Sequence, residues 1–513
     1  MADLPSMELP MGPPGMDEPM PPGACGPAGP SALQLDWSAH DAYGQGDAYA
    51  AVPGRGEGFG KAASLCIGSR QCQKARGDAG DKGLMCPSFR ITQDDLHSTR
   101  GRAAALREAL DGELAPGGTA GLAAAATSPL WDAAAAQRLD AAMELCVACK
   151  GCKRECPNGV DMAALRAETL AQRWHRQRPP WRTRFFAALP LHLPRLRPLR
   201  SLLVWRDRLP WVARLGERLT GIAAARSLPR LAARPFLDRP TPTPLPQAGP
   251  AREVVLLVDC FANHLDPEVA EAAVVVLQAA GLRVHLLRAA DGGALCCGRT
   301  AFSAGLVDEA RAHAGRLLQA LEPHLDAGRA VIGLEPSCLT MLRDEVHLLR
   351  LPPGSVKKLE RQVFLMEEFL VREHDARRLA LPWRALERTV HVHGHCHQKA
   401  FGTLKAMRKL LGLVPGLQVQ WIESSCCGMA GSFGYEAEHH AASMRMGELA
   451  LLPAVRAAAP DDLILASGTS CRHQIRDGAG REAVHLALLL RAALSPSPSL
   501  PDGPAVAPAA VSP

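Results

Sequence analysis

The run C-V-A-C-K-G-C-K-R-E-C-P, from Cys146 to Pro157, constrains this chain more than any other stretch. Three cysteines recur at every third residue, a fourth follows four later, and a proline closes the run. That spacing lets one loop wrap three thiolates around an iron–sulfur cube, while the Cys-Pro thiolate reaches a second cluster where two are present. Proline keeps the loop from relaxing into the following helix. The competing reading, a structural zinc knuckle, needs two ligand pairs separated by a longer insert. Iron–sulfur ligation by Cys146, Cys149, Cys152 and Cys156 is therefore the expectation.

Upstream, the motif recurs imperfectly. Cys66 and Cys72 in C-I-G-S-R-Q-C take the first and third positions, Ser69 stands at the second, and Cys86-Pro87 is the displaced Cys-Pro. If the two sets exchange their Cys-Pro ligands, one cube receives Cys146, Cys149, Cys152 and Cys86. The other receives Cys66, Cys72 and Cys156, one thiolate short. Three outcomes stay open: a three-iron cluster, a fourth ligand from Ser69 or water, or no second cluster. The bland alternative makes Cys66 and Cys72 ordinary buried thiols.

The chain opens MADLPSMELPMGPPGMDEPMPP, without a basic start or apolar run, and no eighteen apolar residues are contiguous. Neither an export signal nor a membrane-spanning helix is expected. Clustered cysteines in an unexported chain read as metal ligands in a reducing, cytoplasmic compartment.

Residues 1–60 are rich in Pro, Gly, Met and Ala and read as disordered or as a connector laid along another surface, with Cys25 an incidental thiol. Residues 61–172 read as a helical domain carrying clusters in its loops. One helix is capped by Ser98 or Thr99 and another is opened by Asp161. Residues 173–250 form a basic connector: sixteen arginines face three acids between 171 and 240, and half of the eight tryptophans lie there. Such a stretch either packs its apolar side on neighbouring domains or lies at an anionic membrane surface, which would make the protein peripheral on the inner face. No nucleic-acid recognition module accompanies the charge. A Pro-rich linker, Arg239 to Pro250, follows.

Beyond residue 250 apolar strands alternate with helical runs, which reads as α/β with parallel sheets. Cysteines recur in one order: Cys260, Cys296-Cys297-Gly298 and Cys338, then Cys396, Cys426-Cys427-Gly428 and Cys471. Near-constant offsets predict a duplicated domain, 251–375 and 376–492, with a disordered tail at 493–513. Each copy should gather its thiolates at the carboxyl ends of its strands. Adjacent cysteines on a tight turn present two sulfurs to one centre, and the glycine permits close approach or positive φ. Four thiolates suit a four-iron cluster, and a four-coordinate zinc satisfies the same count. In H-V-H-G-H-C-H, His391, His393, His395 and His397 share one face if the strand persists, for metal, anionic substrate or proton traffic. Arg299, Arg472 and His473, beside cage cysteines, either stabilise anionic cluster states or a bound carboxylate, or face solvent.

These stretches, with M-C-P-S-F-R, H-S-T-R-G-R-A, L-C-C-G-R-T, H-G-H-C-H-Q-K-A and E-S-S-C-C-G-M-A-G-S-F-G-Y-E, resemble the iron–sulfur half of FAD-linked D-2-hydroxyacid dehydrogenases of the D-lactate and D-2-hydroxyglutarate type. They are also similar to the iron–sulfur subunits of glycolate oxidase and anaerobic glycerol-3-phosphate dehydrogenase, and to the cysteine-rich subunit of heterodisulfide reductase. The resemblance implies an α-helical ferredoxin-like domain followed by two duplicated α/β cysteine-rich (CCG) domains. It also implies electron transfer from FAD on a partner oxidase subunit to quinone or another acceptor. No flavin-binding region precedes residue 60, so a split enzyme or a truncated gene model is expected. Glu335 and Gly468 stand where heterodisulfide reductase has further cysteines, which puts disulfide chemistry in doubt. A structural zinc protein is the remaining alternative.

Overall fold

The computed structural model describes residues 33–44, 52, 57–74, 83–111, 131–240, 252–379 and 381–495. Cys25, most of the Pro-rich linker and the tail from 496 lie outside them.

Helices Glu57–Ser64, Pro87–Thr92, Thr99–Asp111, Ala133–Glu144 and Met162–Arg176 build the amino-terminal part. Their starts are written in the sequence. Ser98 Oγ accepts from the Gly101 N–H at 2.9 Å, Asp132 from Ala135 at 2.7 Å and Asp161 from Ala164 at 3.2 Å, each satisfying a donor the helix cannot. Phe59, Leu106, Leu110, Trp131, Leu139 and Leu165 fill the space between them. Residues 33–37 lie on this bundle, with Leu33, Leu35 and Trp37 buried. The buried Glu168 carboxylate accepts from the Gln34 and Leu35 N–H groups and from Trp37 Nε1.

Residues 181–220 form short helices, Trp181–Ala187, Leu189–Leu196, Arg200–Arg208 and Pro210–Thr220. Prolines sit in the first turn of the second and fourth, where a missing N–H costs nothing. Buried Arg226 anchors the end of this stretch, donating to the Gly434 carbonyl at 2.8 Å and Ser443 Oγ at 2.9 Å.

The remainder is α/β. Strands β1 (Arg252–Leu257), β2 (Leu282–Leu286), β3 (Ala330–Gly333) and β4 (Val363–Leu365) form an all-parallel sheet in the order β2-β1-β3-β4. Strands β5 (Arg388–Val392), β6 (Leu417–Trp421) and β7 (Leu463–Leu465) form a second, also parallel, in the order β6-β5-β7. The order of the first three strands is the same in both. Val254 to Leu257 in β1 are all buried, as parallel strands covered on both faces must be. Leu256 of the first sheet and Val390 and Val392 of the second share one core. Among the described residues no helix is long and apolar enough to cross a membrane.

Candidate metal centres

Cys86, Cys146, Cys149 and Cys152 line one cavity, together with Thr99 and Arg102. The displaced Cys-Pro thus shares this cavity with the second motif's three cysteines, while its thiol also lies beside Cys72 of the first motif. Ala148 (φ 47°) and Lys150 (φ 61°) take left-handed backbone on either side of Cys149, and Cys86 itself does so at φ 51°. Such conformations are costly for residues other than glycine, and here they turn consecutive thiols inward. Helix Thr99–Asp111 points its amino terminus at the sulfurs: the Thr99 N–H donates to Cys86 Sγ at 3.2 Å and the Arg100 N–H to Cys72 Sγ at 3.4 Å. Helix amino termini favour thiolate. The bond from Cys86 and the Arg100 N–H bring the Cys72 pKa down to about 6, whereas Cys86 is pushed up. Burial raises Cys149, and Cys152 to about 12; a bound metal would have to displace those protons. Cys66 lies within the electrostatic reach of Cys72 and Cys156. Ser69 is exposed.

Both Cys-Cys-Gly turns sit at the carboxyl ends of parallel strands. Cys260 opens the short helix after β1, Cys338 lies in helix Pro336–Arg343 after β3, and Cys296-Cys297 precede helix Arg299–Ser303. Cys396 and Cys471 occupy the same places after β5 and β7. Cys297 lies beside Cys296 and Cys338, with Cys260 in electrostatic reach; Cys427 lies beside Cys426 and Cys471, and Cys426 beside Cys396. Gly298 (φ +84°) and Gly428 (φ +88°) leave no room for a side chain. A Cβ would stand 2.6 Å from the Ala310 carbonyl oxygen in one case and 2.3 Å from that of Ser443 in the other, so only glycine fits either turn.

A tetrahedral zinc with Zn–S bonds of about 2.3 Å keeps its sulfurs about 3.8 Å apart. Among the described residues no three cysteine sulfurs lie within 4.8 Å of one another; the one trio of His, Cys, Asp or Glu ligand atoms that does is Glu436, Glu438 and His439. Four thiols in each Cys-Cys-Gly set satisfy the ligand count of a four-iron cluster and of a four-coordinate zinc alike.

The histidine run departs from the expectation of one shared face. Strand β5 stops at Val392, because Gly394 and the helix starting at Cys396 turn the chain. His391 instead pairs with Asp462 at 2.8 Å. His393 Nδ1 meets Ser424 Oγ at 2.9 Å, and burial with nearby Lys399 pushes its pKa down to about 3. His395 caps the helix, its Nδ1 accepting from the His397 N–H at 3.2 Å. His397 Nδ1 lies 2.6 Å from Thr340 Oγ1 and its Nε2 3.3 Å from the Ala148 carbonyl oxygen. His473 is buried against Tyr435 at 2.8 Å, and Arg472 is held by Asp266 and the Ser467 carbonyl. Arg299 is paired with Glu345. None of the three faces solvent, the alternative considered for each.

Sequence reasoning missed Lys150. It sits fully buried inside the cysteine loop, paired with Asp161 and Asp344 at 2.7 Å and Glu345 at 3.3 Å. Its position within the ligand run was a signal; its carboxylate partners at 344 and 345 carried none.

Residues 30–160 match the family described as 4Fe-4S dicluster domain, and residues 254–343 the family described as Cysteine-rich domain. D-2-hydroxyglutarate dehydrogenase of Escherichia coli K12 is 25% identical over 429 residues, 78% of this chain and 41% of that protein. A subunit of the anaerobic glycerol-3-phosphate dehydrogenase of the same organism is 28% identical over 251 residues, 48% of this chain and 61% of that protein. Lactate utilization protein A of Bacillus subtilis is 28% identical over 191 residues, 35% of this chain and 74% of that protein. The matched region spans less than two thirds of the first two relatives. These likenesses fit a component of an iron–sulfur oxidoreductase with cysteine-rich domains.

Proposed function

We propose that this iron–sulfur oxidoreductase component carries electrons for a flavin-dependent 2-hydroxyacid dehydrogenase, accepting them from FAD on a partner oxidase subunit and delivering them to quinone or another acceptor. The observation that carries the reading is the meeting of Cys86 with Cys146, Cys149 and Cys152 around one cavity at a helix amino terminus. When bound, iron–sulfur clusters supply one-electron carriers whose potentials the surroundings tune. The chain's own work is ligation, exclusion of water and placement of charge.

In this reading Cys86, Cys146, Cys149 and Cys152 hold one four-iron cluster. Cys66, Cys72 and Cys156 hold a second, with three thiolates suiting a three-iron form. Cys260, Cys296, Cys297 and Cys338 serve one Cys-Cys-Gly cage, and Cys396, Cys426, Cys427 and Cys471 the other. The two α/β units are duplicated cysteine-rich domains, 251–375 and 376–492. Shared strand order and equivalent cysteine placement support that.

The acceptor side lies at a membrane surface. Among the described residues nearly every exposed large apolar side chain falls between 181 and 219, Trp181, Trp205, Trp211 and Leu219 among them, interspersed with exposed Arg195, Arg200, Arg208, Arg214 and Arg218. Aromatic and leucine side chains in the interface with arginine at anionic headgroups is the composition of a surface-bound helix.

Isolation of the tagged full chain from its source tests the reading. An FAD-containing protein should accompany it, and D-lactate, glycolate or D-2-hydroxyglutarate should reduce its iron as followed by EPR. A preparation without flavoprotein, or one whose flavin is reduced while the iron stays oxidised, contradicts it.

A further inference from the structure

The two Cys-Cys-Gly cages share a backbone plan but not a lining. Three buried polar side chains around the second cage have an atom without a partner: His393 Nε2, Ser425 Oγ and Ser467 Oγ. All three residues are more than nine-tenths buried. Aligning the units on their cysteines places Leu257, Leu295 and Leu334 of the first unit at these positions. Glu335 acts on Cys260 of the first cage and Cys471 of the second alike and so favours neither, whereas the charged neighbours peculiar to each cage differ in the same direction. Lys399 reaches the Ser424 and Ser425 carbonyls at 2.6 and 3.2 Å and feels the charges of Cys396, Cys426 and Cys471; its counterpart is Asn263. His395 of the second cage corresponds to Asp259 of the first, whose carboxyl faces Cys260 and Cys297. The cation beside the first cage, Arg299, is already paired with Glu345.

Leaving a polar group buried and unpaired is expensive, and the two unpaired serine hydroxyls beside this set of thiols point to an occupant that accepts hydrogen bonds. A cluster gains negative charge on reduction. Donors and cations around it stabilise the reduced form and raise its potential, whereas leucine and carboxylate do the opposite.

We propose that the Cys396/Cys426/Cys427/Cys471 cage holds the higher-potential cluster and the Cys260/Cys296/Cys297/Cys338 cage the lower, so that electrons pass from the first to the second. One electron leaves the first cage and arrives at the second with no bond made or broken, and it originates in the reduced flavin of the partner. The inference rests on the functional reading above, since it needs clusters in both cages.

The test is a redox titration followed by EPR on the anaerobically purified full chain, with signals assigned by Cys296→Ser and Cys426→Ser. The signal lost in Cys426→Ser should be reduced at the higher potential. Ser425→Ala with Ser467→Ala should weaken its reduction about tenfold, about 59 mV for one electron, and leave the other signal in place. Leu334→Ser should move the first signal upward. Equal midpoints, the reverse order, or a second signal unmoved by the serine variants overturns the inference. Unchanged iron content in both cysteine variants would instead show that the cages hold no clusters, which removes the functional reading of the cages as well.

Discussion

His397 Nε2 lies 3.2 Å from Arg299 Nη2, so the first turn after the second sheet's leading strand grips the helix that follows the first Cys-Cys-Gly turn. The same imidazole nitrogen is 3.3 Å from the carbonyl oxygen of Ala148, between Cys146 and Cys149. Three cysteine sets thus meet around one neutral ring, which burial and Arg299 hold below its usual pKa. Arg299 also pairs with Glu345, which in turn pairs with Lys150 of the cysteine loop. The sets are held in fixed relation by a buried chain of charges.

Breaking that chain on one side should be costly. Arg299→Met leaves Glu345, wholly buried, with Lys150 alone, and stability should fall by about 3–5 kcal/mol. The double variant with Glu345→Gln should recover much of the loss. Denaturant unfolding of the two proteins decides this.

Glu168 ties residues 33–37 to the helical bundle through two backbone N–H groups and the Trp37 indole. Glu168→Ala strands those donors. A loss of about 3 kcal/mol is expected for bonds to a buried charge, with amide exchange rising first at residues 33–37.

Burial raises the Glu367 carboxyl from 4.5 to about 7. The folded protein therefore binds a proton that the unfolded chain releases between about pH 4.5 and 7. Stability should be greatest at the acid end of that window and decline by roughly 3 kcal/mol as pH rises to 7. Glu367→Gln, which keeps a partner for the Gln398 amide, should flatten the slope. Unfolding midpoints at pH 5 and 7.5 measure it.

Much of this was legible in the residues. Cys86 was legible as the displaced Cys-Pro of the first motif, and strand β1 was visible as an apolar run. The histidine face was misread because alternation in H-V-H-G-H-C-H looks like a strand, while Gly394 and the helix start at Cys396 end it at Val392. Long-range pairing was invisible: nothing near Lys150 announces Asp344 or Glu345. The inequality of the cages was present in the sequence as three leucines against His393, Ser425 and Ser467, yet it acquires meaning only once burial and missing partners are known.

Trp205 and Trp211 stack edge to face, 6.4 Å between ring centres, on the basic helices. The full chain should sediment with vesicles containing phosphatidylserine and not with neutral ones. Arg200→Gln and Arg208→Gln should each weaken binding by about 1 kcal/mol, roughly fivefold, and the Trp205→Ser, Trp211→Ser pair should abolish it. Binding indifferent to lipid charge would remove the membrane side of the proposal.

The most direct test of electron carriage is a determination of iron, acid-labile sulfide and zinc on the chain purified without oxygen, in wild type and in Cys86→Ser. Iron and sulfide in near-equal amounts are predicted, zinc only in traces, an EPR signal on reduction, and a loss of about four iron per chain in the variant. A colourless protein with stoichiometric zinc, or a Cys86→Ser variant with undiminished iron, would contradict it.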